Sequence, residues 1–524
     1  MLDLQTSFYT ALTVSGLALV RYYWFGSHGR KLRHPPSPKS LPFVGNLFSI
    51  PPGLDHLAYT ELGRQLKSDI VYLNLLGQPL IILNSARAAS ELLEKHSASH
   101  SDRVTAPMVS DPTLLDWSGF VGMMPYSDLW RRQRRRMNEC LNTRAVRQFD
   151  NLQQDGSKQL LTRLLGASES AQLFDQVKHQ FFFTTGIVAF KLAYGYPLKN
   201  GQDPFFLNAV EATENLFAAT MMSNFLVNAF PALSYVPDWF PGTGWKRTAR
   251  KWRDQKNNAV NAPYEWTKQQ VASQARGDFQ PSVLSALLQD HQLVSGMSTE
   301  DRDKELKELA FILCVGGMDT LATGLVNFVA AMLTSPEAQA KAQEEIDSVI
   351  GYATRLPKTS DEARLPYVRK LILEVLRWLP VGPTGGPHAC YQDDVYREYD
   401  IQKGTMSFGN VWAMSRDESI YKDPDTFNPE RFSDPNVPPV PGFGWGRRKC
   451  PGTHFAEISL FINISSLLSV FSFTRKKDAN GREIIPKIEP AYNHLSLQLK
   501  PFEFELRPRS DKHRQLILES PLDY

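Results

Sequence analysis

The sequence predicts a mainly α, α+β fold: one large helical domain with small β-sheets, preceded by a single N-terminal membrane helix. Three observations carry the prediction. Residues 2–25 form an apolar run ending in aromatics, LDLQTSFYTALTVSGLALVRYYWF. Residues 298–334 read as one helix, far longer than average and apolar nearly all round, as a helix crossing the centre of a large domain must be. Strand-like patterning is confined to short pieces such as DIVYLNLLGQPLIILNS at 69–85, where two apolar runs flank a Gly-Gln-Pro turn.

Composition narrows the class. A chain of 524 residues can bury a large core, and its net charge of +3 sets up no global field for nucleic acid. Four scattered cysteines, Cys140, Cys314, Cys390 and Cys450, include no paired spacing. They argue against a disulfide framework or a structural zinc site and fit a reducing compartment. No internal repeat or low-complexity tract is present.

In chain order, the apolar segment reads as an uncleaved anchor, with Tyr22, Tyr23 and Trp24 at headgroup level. Arg21, Arg30, Lys31, Arg33 and Lys39 follow it while only Asp3 precedes it, so the positive-inside bias puts the body in the cytosol. Residues 26–58 carry PPSPKSLPFVGNLFSIPP, whose prolines stiffen a hinge between membrane and body. The domain proper is expected over 59–524.

The run WRRQRRR at 130–136 places Trp130 and Arg134 on one helical face and turns Arg131, Arg132, Arg135 and Arg136 elsewhere. The aromatic stretch 230–245 either dips into a membrane or packs on the core. The long helix starts at the capping signal STED, 298–301, and the next at Ser335-Pro336, ending before Gly351. Inside the long helix Gly316 and Gly317 sit together, each costing about 1 kcal/mol of helix propensity, so something large must approach the backbone there. Asp319 and Thr320 follow, polar groups in an apolar helix. Cys314 is read as core. Glu374 and Arg377, three apart among apolar neighbours, form a buried pair that needs a further partner, and Arg431 of FNPERF is the candidate.

Near the C-terminus, FGWGRRKCPG at 443–452 frames one cysteine with three glycines and three basic residues. It resembles the haem-binding signature of cytochrome P-450 monooxygenases, F-x-x-G-x-R-x-C-x-G, matched by Phe443, Gly446, Arg448, Cys450 and Gly452. The family's other marks follow in order: W-x-x-x-R at Trp130 and Arg134, GGMDT for the oxygen-activating helix, E-x-x-R at Glu374 and Arg377, and P-E-R-F at 429–432. Gly316 stands where alanine is frequent, which enlarges the space above the haem, and Trp445 is bulky within the cysteine loop. The resemblance spans essentially the whole chain and is closest in style to filamentous-fungal enzymes of secondary metabolism.

That resemblance implies the cytochrome P-450 fold and heme b with Cys450 as axial thiolate, which favours O–O cleavage. The glycines let backbone amides face the sulfur and the porphyrin come close. Trp130, Arg134 and Arg448 reach the haem propionates, with His388 as a further partner or a structural histidine. Thr320 with Asp319 relays protons, and Glu374, Arg377 and Arg431 form a structural triad. NADPH and flavins serve only through a partner NADPH-cytochrome P-450 reductase, docked on the basic run with Arg447 and Lys449, and cytochrome b5 is a further electron donor. Membrane lipid is a partner and nucleic acid is not. The implied location is the endoplasmic reticulum membrane, single-pass, with the catalytic domain cytosolic.

The implied substrate is a hydrophobic small molecule, a terpenoid first, with aromatic, indole or polyketide scaffolds as alternatives. Its pocket is expected from Trp117, Phe120, Phe217, Met221, Phe311, Val315, Val381 and Leu497. An oxygen-independent haem-thiolate rearranging enzyme and a non-catalytic haem protein are the competing classes. The Asp319-Thr320 pair argues against the first and the reductase-docking features against the second.

Overall fold

The computed structural model describes residues 14–16, 32–167, 170–221, 224–273, 281–290 and 298–519. The anchor expected at 1–25 lies outside them except for helical residues 14–16. The described part of the hinge is extended but fastened to the body. Tyr72 N donates to Pro36 O at 2.9 Å, Asn46 N donates to Asn74 O at 2.7 Å, and His34 stacks on Tyr72.

After helix α1 (Asp55–Leu66) come strands β1 (Ile70–Leu75) and β2 (Gln78–Leu83) as an antiparallel hairpin. The turn is Leu76-Gly77, both at positive φ (53° and 95°), and not the Gly-Gln-Pro read from the sequence. Gln78 and Pro79 already belong to β2. Proline is tolerated there because pairing with the next strand starts only at Leu80, so its missing N–H costs no ladder bond on that side. β3 (His388–Ala389), the hairpin β4 (Asp394–Tyr396) and β5 (Tyr399–Ile401), and β6 (Met406–Gly409) follow, with the main sheet ordered β1-β2-β6-β3. A third sheet pairs β7 (Phe471–Thr474) with β8 (Glu505–Pro508).

The helical bulk is α2 (Asp128–Leu141), α3 (Asp150–Ala167), α4 (Leu173–Tyr194), α5 (Pro204–Thr220), α6 (Gly244–Ala272), α7 (Thr299–Thr334), α8 (Pro336–Ile350), α9 (Pro366–Trp378) and α10 (Thr453–Val470). Helix α7 starts as expected, with the Ser298 side chain accepting from Asp301 N. At α8, Ser335 holds the N-cap position, but its hydroxyl goes to Glu337 and Phe427 O instead of to the helix amides.

Two hydrophobic cores meet along α7. Its first half, Leu306 to Met318, packs with α4, α5 and α6. Its second half, Leu321 to Leu333, packs with α3, α8, α9 and α10. Glycines 316 and 317 lie at the junction. Among the described residues two helices, α7 and α10, are long and apolar enough to cross a membrane, yet both are mostly buried in these cores.

One fold-level titration follows from His56, which is 4% exposed against Trp412 with no partner at Nε2. Burial, helped by the Arg416 charge, pushes its imidazole down to about 4. Between that value and the ordinary 6.5, the unfolded chain holds a proton that the folded chain does not. Stability therefore falls as pH drops through this window, by about 1.4 kcal/mol per pH unit for this group. Denaturant titrations from pH 7 to pH 4 should show a shallower slope in His56→Phe than in the parent.

Candidate haem-thiolate site

Cys450 is held by a closed loop. Its N–H donates to Phe443 O at 2.8 Å, and Thr453 Oγ1 donates to Cys450 O at 2.8 Å just inside the start of α10. Two glycines here serve the protein's own backbone. Gly444 and Gly446 have φ of 77° and 53°, and a Cβ on Gly446 would stand 2.4 Å from Leu93 O. Gly452 has an ordinary φ and leaves open space beside the sulfur, where a Cβ would meet only Cys450 Sγ at 3.8 Å. Close approach of a cofactor therefore explains at most Gly452, not all three glycines. Trp445 lines the cavity and sits over Gly385 and Gly409, and any Cβ on Gly409 would overlap its ring.

Protein surrounds Cys450, yet its side chain is exposed to an internal cavity of about 490 Å³ at the junction of the two cores. Burial raises the thiol's pKa, and the Gly452 amide, Arg134 and Thr453 hold the rise back. Helix α7 presents Ile312, Leu313, Gly316, Gly317, Asp319, Thr320 and Leu321 to this cavity. A Cβ on Gly316 or Gly317 would meet no neighbour but a side chain of the same helix at 3.6 Å, so the pair opens the wall as the sequence suggested. Thr320 Oγ1 donates to Gly316 O at 3.0 Å, its side chain open to the cavity.

A cationic cluster lines the cavity beside Cys450: Arg134, Arg448 and His388, as expected, together with Arg103 and the ring of Trp130. Arg448 stacks 4.4 Å over Trp130 and donates to Ser101 O and Met124 O, while Arg134 donates to Lys449 O. Nη1 of Arg448 and Nη1 of Arg103 are buried without a partner. Burial lowers both guanidinium pKa values, helped at Arg448 by the charges of Arg103 and Arg134 (to about 9) and at Arg103 by that of Arg134 (to about 10). His388 Nδ1 faces His100 O at 2.9 Å, and burial with the Arg103 charge pushes its imidazole down to about 3. Orphaned donors in a cluster of like charge call for an anionic ligand group with several acceptor oxygens. The propionates of haem meet that demand, and the free thiol and glycine-opened wall suit its iron and ring. Arg103 escaped the sequence reading because a lone arginine between loops carries no spacing signal.

The eight residues proposed for the pocket separate sharply. Phe217 and Val381 line the cavity. Trp117, Phe120, Phe311 and Val315 instead fill the core shared with α4 and α6, Met221 is half-buried beyond the end of α5, and Leu497 packs into the other core. The reason is helical phase: Phe311 and Val315 lie one turn apart on the α7 face opposite the cavity-lining Leu313 and Thr320. Cys314 is fully buried there, as expected.

Glu374, Arg377 and Arg431 do meet. Arg377 forks onto both Glu374 oxygens at 2.7 Å, Arg431 Nε reaches them at 3.0 Å, and Glu374 and Arg377 are wholly buried. In the basic run, Arg136 is buried against Glu305, Arg132 shares that carboxylate, and Arg131 pairs with Asp128. Only Arg135 of the four outward arginines keeps an exposed side chain with no ion pair among the described residues. Arg447 and Lys449 are exposed as well.

A lone cysteine before a helix, a cation-rimmed cavity and a glycine-opened helix opposite define a haem-thiolate protein. Comparison with known proteins agrees: the cytochrome P450 family model matches residues 35–505. Cytochrome P450 monooxygenase 98 of Postia placenta is 35% identical over 498 residues, 93% of each chain. Cytochrome P450 monooxygenase claR of Ampulloclitocybe clavipes is 34% identical, covering 98% of this chain and 94% of its own. The tryptamine 4-monooxygenase of Psilocybe cyanescens is 34% identical, covering 88% and 90%. The chain belongs to the cytochrome P450 family and is a monooxygenase, an oxidoreductase.

Proposed function

We propose that this monooxygenase hydroxylates an apolar small molecule, with a terpenoid as the first reading, using heme b held by Cys450. The observation that carries this is the cavity: apolar side chains dominate its walls, and Asp319 and Thr320 are the polar groups that α7 presents to it. Bound haem supplies the iron at which dioxygen is activated. The chain's own residues do the rest. Arg103, Arg134, Arg448 and Trp130 would hold the propionates, Thr320 and Asp319 hold and move protons, and the apolar walls exclude water. A second reading, an aromatic or indole amine, is favoured by the tryptamine 4-monooxygenase relative. The test is incubation with reductase, NADPH and ¹⁸O₂ against terpenoid, indole and polyketide panels. One labelled oxygen in a terpenoid product supports the first reading, labelled indole the second, and no label in any product removes both.

The setting proposed is the cytosolic face of the endoplasmic reticulum membrane. Within the aromatic stretch, Leu233 and Trp245 pack against the core, while Tyr235 and Trp239 are 88% and 80% exposed and suit insertion among lipids. Electrons would arrive from an acidic flavoprotein reductase, with cytochrome b5 as a further donor, at the surface of Arg135, Arg447 and Lys449. Arg135→Glu with Arg447→Glu should slow reductase-driven reduction about fivefold or more at low salt, with the gap closing at high salt and haem content intact. Equal rates at low salt would remove this surface. Arg132 is a poor choice for reversal, since a glutamate there would face Glu305.

A further inference from the structure

Asp319 is held by residues that no motif marked. Ser496 Oγ donates to Asp319 Oδ2, and His494 Nδ1 lies 2.9 Å from Ser496 Oγ and 3.3 Å from Ser496 N. Lys178 Nζ donates to Gln498 Oε1 at 2.9 Å, which fixes that amide so that its Nε2 points to Ser496 Oγ at 3.0 Å and Asp319 Oδ1 at 3.4 Å. Ser496 and Gln498 are buried, whereas His494 is only half-buried. Among the described residues, the titratable group bonded to Ser496 on the side away from Asp319 is therefore an imidazole.

We propose that His494 and Ser496 are positioning residues that carry protons from solvent to Asp319. In this relay His494 takes a proton at Nε2, and Nδ1 gives its own to Ser496 Oγ as the serine hydroxyl proton passes to Asp319 Oδ2. One proton moves and no electrons do. The neutral ring left behind accepts from Ser496 N–H and resets by exchange with solvent. Gln498 cannot substitute, because an amide neither gains nor loses a proton here, so it only orients the carboxylate. The charged and titratable groups around the imidazole are Asp319 from α7, Glu214 from α5, Tyr492 from its own segment, and Lys178 from α4 through Gln498. Glu214 lies one turn before Phe217, whose ring meets His494 edge-on at 4.8 Å, and its own carboxyl is raised by burial and by Asp319. The proposal rests on the monooxygenase reading of Asp319.

Two arms test it on full-length protein in nanodiscs. In the diamagnetic carbon monoxide-bound form, ¹⁵N-histidine-labelled protein gives the ring-nitrogen resonances of His494, assigned through their loss in His494→Gln. Asp319→Asn and Ser496→Ala should each shift the Nδ1 resonance, because the hydroxyl that meets Nδ1 is itself held by the carboxylate. An Nδ1 resonance unmoved in both overturns the relay. This arm needs neither substrate nor reductase, so it stands even if no scaffold is oxygenated. In the second arm, with reductase and NADPH, Ser496→Ala should raise the share of electrons leaving as hydrogen peroxide about fivefold at unchanged haem content, and Ser496→Thr should restore it. Equal peroxide yields in parent and alanine variant, or no rescue by threonine, also overturn it.

Discussion

Cys450→Ala is expected to abolish the strongly red-shifted carbon monoxide band of the dithionite-reduced protein and all oxygenation, while far-UV circular dichroism keeps its helical signal. The effect is complete because no second thiol can replace it. Among the described residues Cys450 is the only cysteine lining the cavity. Cys314 sits on the far side of α7, Cys390 faces His100 and Gln392 O, and burial raises the thiols of Cys140 and Cys390 to about 11. The fold survives because the loop is closed by backbone bonds, Cys450 N to Phe443 O and Thr453 Oγ1 to Cys450 O, that alanine keeps. A persistent band in the variant would remove Cys450 as ligand and the catalytic reading with it.

Arg377→Ala acts on the other term, whether there is a body to hold the cofactor at all. Besides its fork onto Glu374, Arg377 donates to Ser415 O, Pro424 O and Thr426 O. Its loss strands the Ser415 and Pro424 carbonyls, leaves Thr426 O to Arg431, and leaves the buried Glu374 carboxylate with Arg431 and Asn428 N alone. Breaking a buried pair this way costs about 3–5 kcal/mol. A domain stable by some 5–15 kcal/mol in total cannot absorb that and keep its yield at 37 °C. The expected result is a collapse in soluble haem-loaded protein and a thermal transition lowered by several degrees. Lysine should not rescue it, since one ammonium cannot serve a carboxylate fork and three carbonyls. A variant within about 1 kcal/mol of the parent in denaturant unfolding would show that the network is ornamental to stability.

What could be read from the chain depended on whether a signal was local. The cysteine loop, the α7 cap at Ser298, the glycine gap and the Glu374–Arg377 spacing are set within a few residues, and the structure places each where the sequence put it. Arg431 was reachable because a buried pair demands another cation. Pocket residues failed at Phe311 and Val315 because composition says a helix is apolar all round, not which face meets a cavity. Arg136 failed similarly: its partner Glu305 lies 169 positions away on α7. Arg103, Ser496 and His494 come from loops whose only signal is spatial, so nothing in their neighbours announced them.

The meeting of two separate cores on one helix divides the consequences of mutation. Of the half that packs with α5 and α6, Ile312, Leu313, Gly316 and Gly317 line the cavity, while the half packed with α8, α9 and α10 lies against the helix that follows the cysteine loop. Variation in the first half should therefore change what the cavity admits more than what holds the cysteine loop, and the double glycine is the point at which the two roles join.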